Sequence, residues 1–203
     1  MARALRERTV VLASGNPGKL AELAQTLSPL GITLRAQAEF GLGAVAEDGL
    51  SFVENAIIKA RAAAAASGLP AIADDSGLEV DCLQGAPGIH SARYSGGDDA
   101  ANNDKLLTAL GAVAREQRSA RYQCVLVYLR HALDPTPLIC QGSWEGYILQ
   151  EARGSNGFGY DPLFYVPQYA CTAAELEPQV KNRISHRASA SARLLEALRR
   201  QTG

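Results

Sequence analysis

Two adjacent carboxylates, Asp74 and Asp75, follow a short apolar run over residues 70–73 and are followed at once by Ser76 and Gly77. The pattern predicts a strand that delivers a carboxylate cluster to a tight loop at its end. Ligands in open α/β sheets bind just beyond the carboxyl ends of strands. Two anionic groups side by side are costly unless a cation or a proton lies between them. The chemistry suggested is a divalent-metal site with a catalytic carboxylate; the plainer alternative is a solvated Asx turn before a bend.

Four other constellations carry chemistry. Ser14-Gly15-Asn16-Pro17-Gly18-Lys19 links an apolar strand to a helix. Glycines admit close backbone approach, a helix N-terminus offers free N–H groups, and Lys19 adds a full positive charge, which together describe a phosphate cradle. It is not the GxxxxGK[ST] pattern, because Leu20 follows Lys19 and no hydroxyl is placed for magnesium. A glycine-rich turn with no ligand is the alternative. Around a second helix stand Glu47, Asp48, Glu54, Asn55 and Lys59. Asn55 and Lys59 share a face, Glu54 reads as a cap, and either Glu47 or Asp48 could offer oxygens to a metal or simply form a solvated acidic loop.

Gly154-Ser155-Asn156-Gly157-Phe158-Gly159-Tyr160-Asp161-Pro162 combines loop glycines with aromatics and an acid. An aromatic held on such a loop can stack on a base, and Asp161 can accept from a ring N–H or a ribose hydroxyl. The loop comes too late in the chain, and opens no clear helix, for a dinucleotide fingerprint. Finally, Lys181-Asn182-Arg183-Ile184-Ser185-His186-Arg187 places three cations before the last helix, suited to phosphate or to purine O6 and N7 acceptors, or to a basic surface. Arg93 suits a phosphate or an ion pair with Asp81 or Asp98.

The elements that must hold these groups alternate between strand and helix. Strands are expected over residues 9–13, 32–36 and 70–73, then over 120–130 and 138–149, the last two as a hairpin turned by Asp134-Pro135-Thr136-Pro137. Helices are expected from Leu20 to Leu30, over 52–67 with Ser51 and Glu54 as a capping box and Gly68 as the stop, over 100–112, and over 189–200 with Ala192, Leu195 and Leu198 inward. The fold class is α/β, a mixed sheet flanked by helices.

With 203 residues, the chain suits one domain or two joined lobes and needs no disulfide staple. Lys plus Arg number 20 and Asp plus Glu 21, a balance that argues against bulk binding to a polynucleotide. The four cysteines form no CxxC pair and are expected reduced, in a cytoplasmic protein. No signal peptide and no membrane span is expected.

Taken in order, SGNPGK, EDGLSFVENAIIKA, ADDSGLEVD, GAPGIHSARYSG, GFGYDPLF and KNRISHRA resemble the inosine triphosphate pyrophosphatase family, over about residues 10–198. VLVYLRHALDPTPLICQGSWEG is similar to the hairpin of its proteobacterial members. The resemblance implies an elongated mixed sheet with helices, in two lobes around a central cleft, and a homodimer. It implies cleavage of ITP, dITP and XTP between the α- and β-phosphates, to the monophosphate and pyrophosphate, with magnesium, as a means of clearing deaminated purines.

By motif, the resemblance makes Asp75 the proton acceptor and a metal carboxylate, with Glu47 the second metal-associated acid and Lys59 close to the phosphates. It assigns Ser14, Gly15, Asn16, Pro17, Gly18, Lys19 and Ser76 to substrate binding. Phe158, Gly159, Tyr160 and Asp161 hold base and sugar, and Lys181, His186 and Arg187 complete the pocket. A donor from His186, Arg187 or a loop N–H would pair with the O6 of hypoxanthine or xanthine and be left unpaired by adenine. Ala188 departs from the glycine common after the His-Arg pair, and residues 1–8 lie outside the pattern as a flexible extension. Two other readings are a non-catalytic nucleotide-binding or RNA-modification partner that reuses the cleft and a pyrophosphatase for modified pyrimidines. Leu126, Tyr128 and Trp144 are candidates for a dimer interface or for the core.

Overall fold

The computed structural model describes residues 8–202. The extension expected over residues 1–8 falls outside them except for Arg8, which begins the first strand. The elements run β1 (Arg8–Ala13), α1 (Pro17–Leu27), β2 (Ile32–Ala36), α2 (Phe52–Ser67), β3 (Ala71–Val80), α3 (Asp99–Leu110), β4 (Ser119–Leu129), β5 (Leu138–Ile148), β6 (Phe164–Val166), β7 (Cys171–Thr172), α4 (Pro178–Ile184) and α5 (His186–Thr202). Seven strands form one sheet in the order β2-β1-β3-β4-β5-β6-β7. β1 is parallel to β2 and β3, and β6 is antiparallel to β5 and β7, so the sheet is mixed as expected.

The chain divides into two compact units, 1–75 with 125–141 and 190–203, and 76–124 with 142–189. In the first, the alanine-rich face of α2 explains its packing. Ala56, Ala60, Ala63 and Ala64 are buried with Val11, Ala13, Ala71, Ala73, Val125, Val127 and Leu129. Small side chains let the helix approach the sheet closely, while alanine gives it the highest intrinsic propensity. Ser51 Oγ accepts from Glu54 N at 3.2 Å, and Glu54 Oε2 accepts from Leu50 N at 2.9 Å, so the capping pattern read from the sequence starts α2. The second unit is built on a larger cluster, with Leu78, Leu106, Tyr122, Trp144, Tyr160, Leu163 and Phe164 at its centre.

Three expectations are corrected. β3 does not end before the carboxylates: Asp74, Asp75 and Ser76 lie inside a ten-residue strand. Its apolar alternation resumes at Leu78 and Val80, both fully buried, which carries the strand through the polar stretch. The neighbouring β1 stops at Ala13, paired with Ala73, so the carboxylates stand just past the end of β1 rather than of their own strand. α5 begins at His186, not at 189, and Lys181 lies on the separate short helix α4. The inward seam of α5 is Ala190, Leu194 and Leu198; Ala192 is exposed and Leu195 only half-buried, because the helix is rotated by about one residue from the expected face. Leu126, Tyr128 and Trp144 are buried within the chain.

Candidate active site

In the first unit, the strand end at Ala13 and the middle of β3 bring two lysines onto two carboxylates. Lys59, in the middle of α2, donates from Nζ to Glu47 Oε1 at 2.8 Å and to Asp75 Oδ1 at 2.6 Å. Lys19, in the first turn of α1, is ion-paired with Asp74, whose side chain is almost completely buried. The cation that the adjacent carboxylates require is therefore supplied twice, once from each helix. Of the two acids in the preceding loop, Glu47 faces Lys59 and Asp48 is exposed.

Burial depresses the Lys59 ammonium, but Asp75 and Glu47 outweigh it and hold the group above its ordinary value. Burial is also the largest influence on Asp75 and pushes its carboxyl up, against the partial opposition of Lys59. A buried carboxylate with raised proton affinity beside a fixed cation is the combination a general base needs.

The loop that carries Glu47 is held by α2. Asn55, fully buried, accepts from Gly49 N at 2.9 Å. A side chain at Gly49 would stand 2.6 Å from Glu54 Cβ and 2.8 Å from Asn55 Oδ1, so only glycine fits this approach. Gln37 donates to Gly43 O at 3.0 Å and fixes the other end of the loop. A cavity of about 440 Å³ opens here, lined in part by Ser14, Gly15, Lys19, Glu47, Lys59 and Asp74.

The glycine-lysine turn is not a bare amide cradle. Asn16 is the N-cap of α1, and its Oδ1 accepts from Gly18 N at 2.8 Å and Lys19 N at 3.2 Å. Pro17 occupies the first helical position, and Ser14 Oγ accepts from Asn16 N at 3.1 Å. Gly15, Asn16, Pro17 and Gly18 are exposed, so the turn faces solvent with its first two helical amides already capped. Ser76 follows in β3, half-buried.

In the second unit, the late glycine loop is organised by Asp161. Its Oδ2 accepts from Phe158 N at 2.9 Å and from Lys181 Nζ, and its Oδ1 accepts from the Tyr122 hydroxyl at 3.2 Å. Both oxygens are thus engaged within the protein. Gly157, at φ 78°, has no room for a side chain, which would collide with the Asp161 carboxylate. Phe158 remains 57% exposed, with Lys181 Nζ 5.0 Å from its ring centroid, so it offers a free aromatic face. Tyr160 is instead buried, its hydroxyl donating to Ser91 O at 2.8 Å, which makes it a brace for the loop. Ser91, within the Pro87–Tyr94 stretch, also accepts from Leu78 N at 2.8 Å. His186 and Arg187, in the first turn of α5, are both buried.

Several residues here were not singled out by the sequence. Asp99 accepts from Gly159 N at 2.6 Å and Asn103 donates to Gly159 O at 2.9 Å, so the first two turns of α3 grip both backbone groups of Gly159. Tyr122 on β4 stacks on His186, with centroids 4.8 Å apart and planes 14° apart. The signals available were weak: an acidic first turn on α3, and a tyrosine on the inward face of a strand. Asp81 pairs with Arg121, at 2.7 Å.

Among the described residues, no group of three or more His, Cys, Asp or Glu is arranged to hold a metal ion, and no helix is long and apolar enough to cross a membrane. None of the four cysteines forms a disulfide.

The Ham1 family model matches residues 10–197. A dITP/XTP pyrophosphatase from Thioalkalivibrio sulfidiphilus is 60% identical over 191 residues, covering 93% of this chain and 97% of the relative. One from Escherichia coli O157:H7 is 60% identical over 192 residues, covering 94% and 98%. Among solved structures, a HAM1 protein from Coxiella burnetii superposes with a TM-score of 0.91 at 51% identity, covering 95% of this chain and 99% of that one.

Proposed function

Because the chain belongs to the Ham1 family, we propose that it hydrolyses deaminated purine nucleoside triphosphates, dITP, ITP and XTP, to the monophosphate and pyrophosphate. The relatives' shared name as dITP/XTP pyrophosphatases supports the substrate class. The observation that carries the chemistry is the Glu47–Lys59–Asp75 arrangement with Lys19–Asp74 beside it.

Asp75 accepts the proton of the attacking water at a carboxylate oxygen, and its burial strengthens it for that task. Water adds across the α–β anhydride bond; its oxygen goes to one product and the pyrophosphate leaves as the other. Lys19 and Lys59 offset the charge that accumulates on the leaving group. Lys59 also holds Asp75 and Glu47 in place. Phe158 presents its face to the base, and donors from His186 or Arg187 pair with O6, which adenine lacks.

The donor set fits magnesium. Glu47 and Asp75 are hard oxygen ligands already drawn to one cation, and magnesium takes one or two carboxylates, with waters and substrate phosphates for the rest. Glu47 and Asp75 would hold it, and when bound it neutralises phosphate charge and lowers the pKa of a coordinated water. The near-even charge of the chain and its thiols, none held in a disulfide, support a cytoplasmic enzyme without polynucleotide partners, and the family resemblance supports a homodimer.

The test is a product profile from purified protein with magnesium and dITP, ITP, XTP, dATP, dGTP and modified pyrimidine triphosphates in parallel. Monophosphate plus pyrophosphate from the deaminated set, with dATP and dGTP nearly untouched, is expected. Orthophosphate as the first product would move the cleavage site and discard the α–β mechanism; turnover of pyrimidine analogues alone would replace the substrate class.

A further inference from the structure

We propose that Tyr122 is a positioning residue for base selection, fixing Asp161 through its hydroxyl and the plane of His186 through its ring. The inference rests on the pyrophosphatase reading above. Tyr122 is one of the centres of the second unit's core, where its other close neighbours are aromatic: Phe164 at 4.6 Å and Trp144 at 6.4 Å between centroids. A phenylalanine would fill the same space with no polar group to satisfy. Burying a hydroxyl among apolar rings is costly unless it finds a partner. Here the partner is Asp161, itself only 2% exposed and equally in need of donors. Burial, reinforced by the Asp161 charge, pushes the phenol well above its ordinary pKa, so Tyr122 remains a donor at all working pH values.

The consequences run outward along named contacts. Asp161 fixes Phe158 N and Lys181 Nζ, and Lys181 sits over the Phe158 ring. On the other side of Tyr122, the His186 imidazole is parallel to the phenol within 14°. One side chain therefore sets both the aromatic platform of the loop and the orientation of a ring that could donate to a purine. Neither contact makes Tyr122 a catalytic residue, since it touches no reacting group. A recognition site loses selectivity when its donors drift by about half an ångström, because the difference between partnered and unpartnered polar groups is what discriminates.

Tyr122→Phe removes the hydroxyl and keeps the stack; Tyr122→Leu removes both. The chain has a single tryptophan, and Trp144 lies 6.5 Å from His186 in the same stack, so its fluorescence reports the ring arrangement independently of turnover. For Tyr122→Phe, KM for dITP should rise about 5–20-fold with kcat within about threefold, a loss of ground-state binding of the size expected for one charge-linked hydrogen bond. The preference for dITP over dATP should fall about 5–10-fold, while Trp144 emission stays near wild type. Tyr122→Leu should lose further preference and shift the Trp144 emission. Should that variant fail to fold, Tyr122→Phe decides the matter alone. An unchanged dITP/dATP preference in Tyr122→Phe, or an equal loss for every nucleotide, would overturn the inference while leaving the pyrophosphatase intact. A wild-type protein that turns over neither dITP nor XTP would remove the premise, and the inference with it.

Discussion

The two clusters of candidate site residues hold their carboxylates by different means. In the first unit, Asp74 and Asp75 are restrained by long lysines from α1 and α2, and Glu47 comes from an irregular loop beside an open cavity. In the second, Asp161 is restrained by a tyrosine from a core strand, a backbone amide and a lysine, all within or against a packed aromatic cluster. Lysine side chains can re-pair with a phosphate or yield to a metal ion; a tyrosine in an aromatic core cannot move without repacking its neighbours. The first arrangement suits charge that changes during a reaction, and the second suits a shape that must not change. Charge chemistry and base selection should therefore fail separately under mutation.

The largest effect is expected from Asp75→Asn, which keeps the size and removes the proton acceptor. Its kcat should fall about 10²–10⁴-fold with the circular dichroism spectrum preserved. Full activity would remove Asp75 from the base role. Lys59→Met comes next. It leaves Glu47 and Asp75 facing each other without their shared ammonium, so turnover should fall about 100-fold. Thermal melts with and without magnesium sharpen the point: added magnesium should raise the variant's melting temperature more than the wild type's, because the ion replaces the missing charge. An identical response in both proteins would count against a shared metal and lysine position.

On the other side of the comparison, Gly157→Ala places a methyl against the Asp161 carboxylate at a backbone angle that favours glycine. The expected outcome is a loss of dITP over dATP preference of about tenfold, larger than any change in the kcat measured with saturating dITP. A variant that loses kcat and keeps its preference would show that the loop serves chemistry instead.

The smallest effect concerns an ion pair outside both clusters. Asp134, in the β4–β5 turn, accepts from Arg130 Nε at 2.8 Å and from Thr136 N at 3.0 Å. Arg130, the largest influence, holds its carboxyl well below the ordinary range. A depressed carboxylate contributes stability that is present above its unfolded pKa of about 3.9 and is lost as pH falls toward the folded value. The difference in urea midpoint between wild type and Asp134→Asn should be largest at neutral pH and shrink below about pH 4. A gap unchanged down to about pH 2 would contradict the pairing.

Local signals in the sequence were sufficient for α2, whose Ser51–Glu54 cap and Gly68 stop are both present, and for the β4–β5 hairpin. They failed at β3, because Asp74-Asp75-Ser76-Gly77 has the composition of a turn. The carboxylates are instead tolerated within the strand because two lysines, 55 and 16 residues away, pair with them, and no local pattern shows such partners. The same limit hid Tyr122: a tyrosine in a strand is ordinary by propensity, and its value lies in Asp161, 39 residues downstream. The cap function of Asn16 was obscured by the phosphate reading of the glycines around it, since one short side chain can satisfy the amides that an anion would otherwise use. The start of α5 was placed late because Ser185 and the basic residues around it resemble a surface loop, whereas His186 and Arg187 are buried.

The most direct measurement is ³¹P NMR of dITP turnover with magnesium by the wild-type protein and Asp75→Asn side by side. The expected result is dIMP and pyrophosphate from the wild type and intact dITP from the variant. Orthophosphate from the wild type, or equal pyrophosphate release by both proteins, would contradict hydrolysis driven by the Glu47–Lys59–Asp75 cluster.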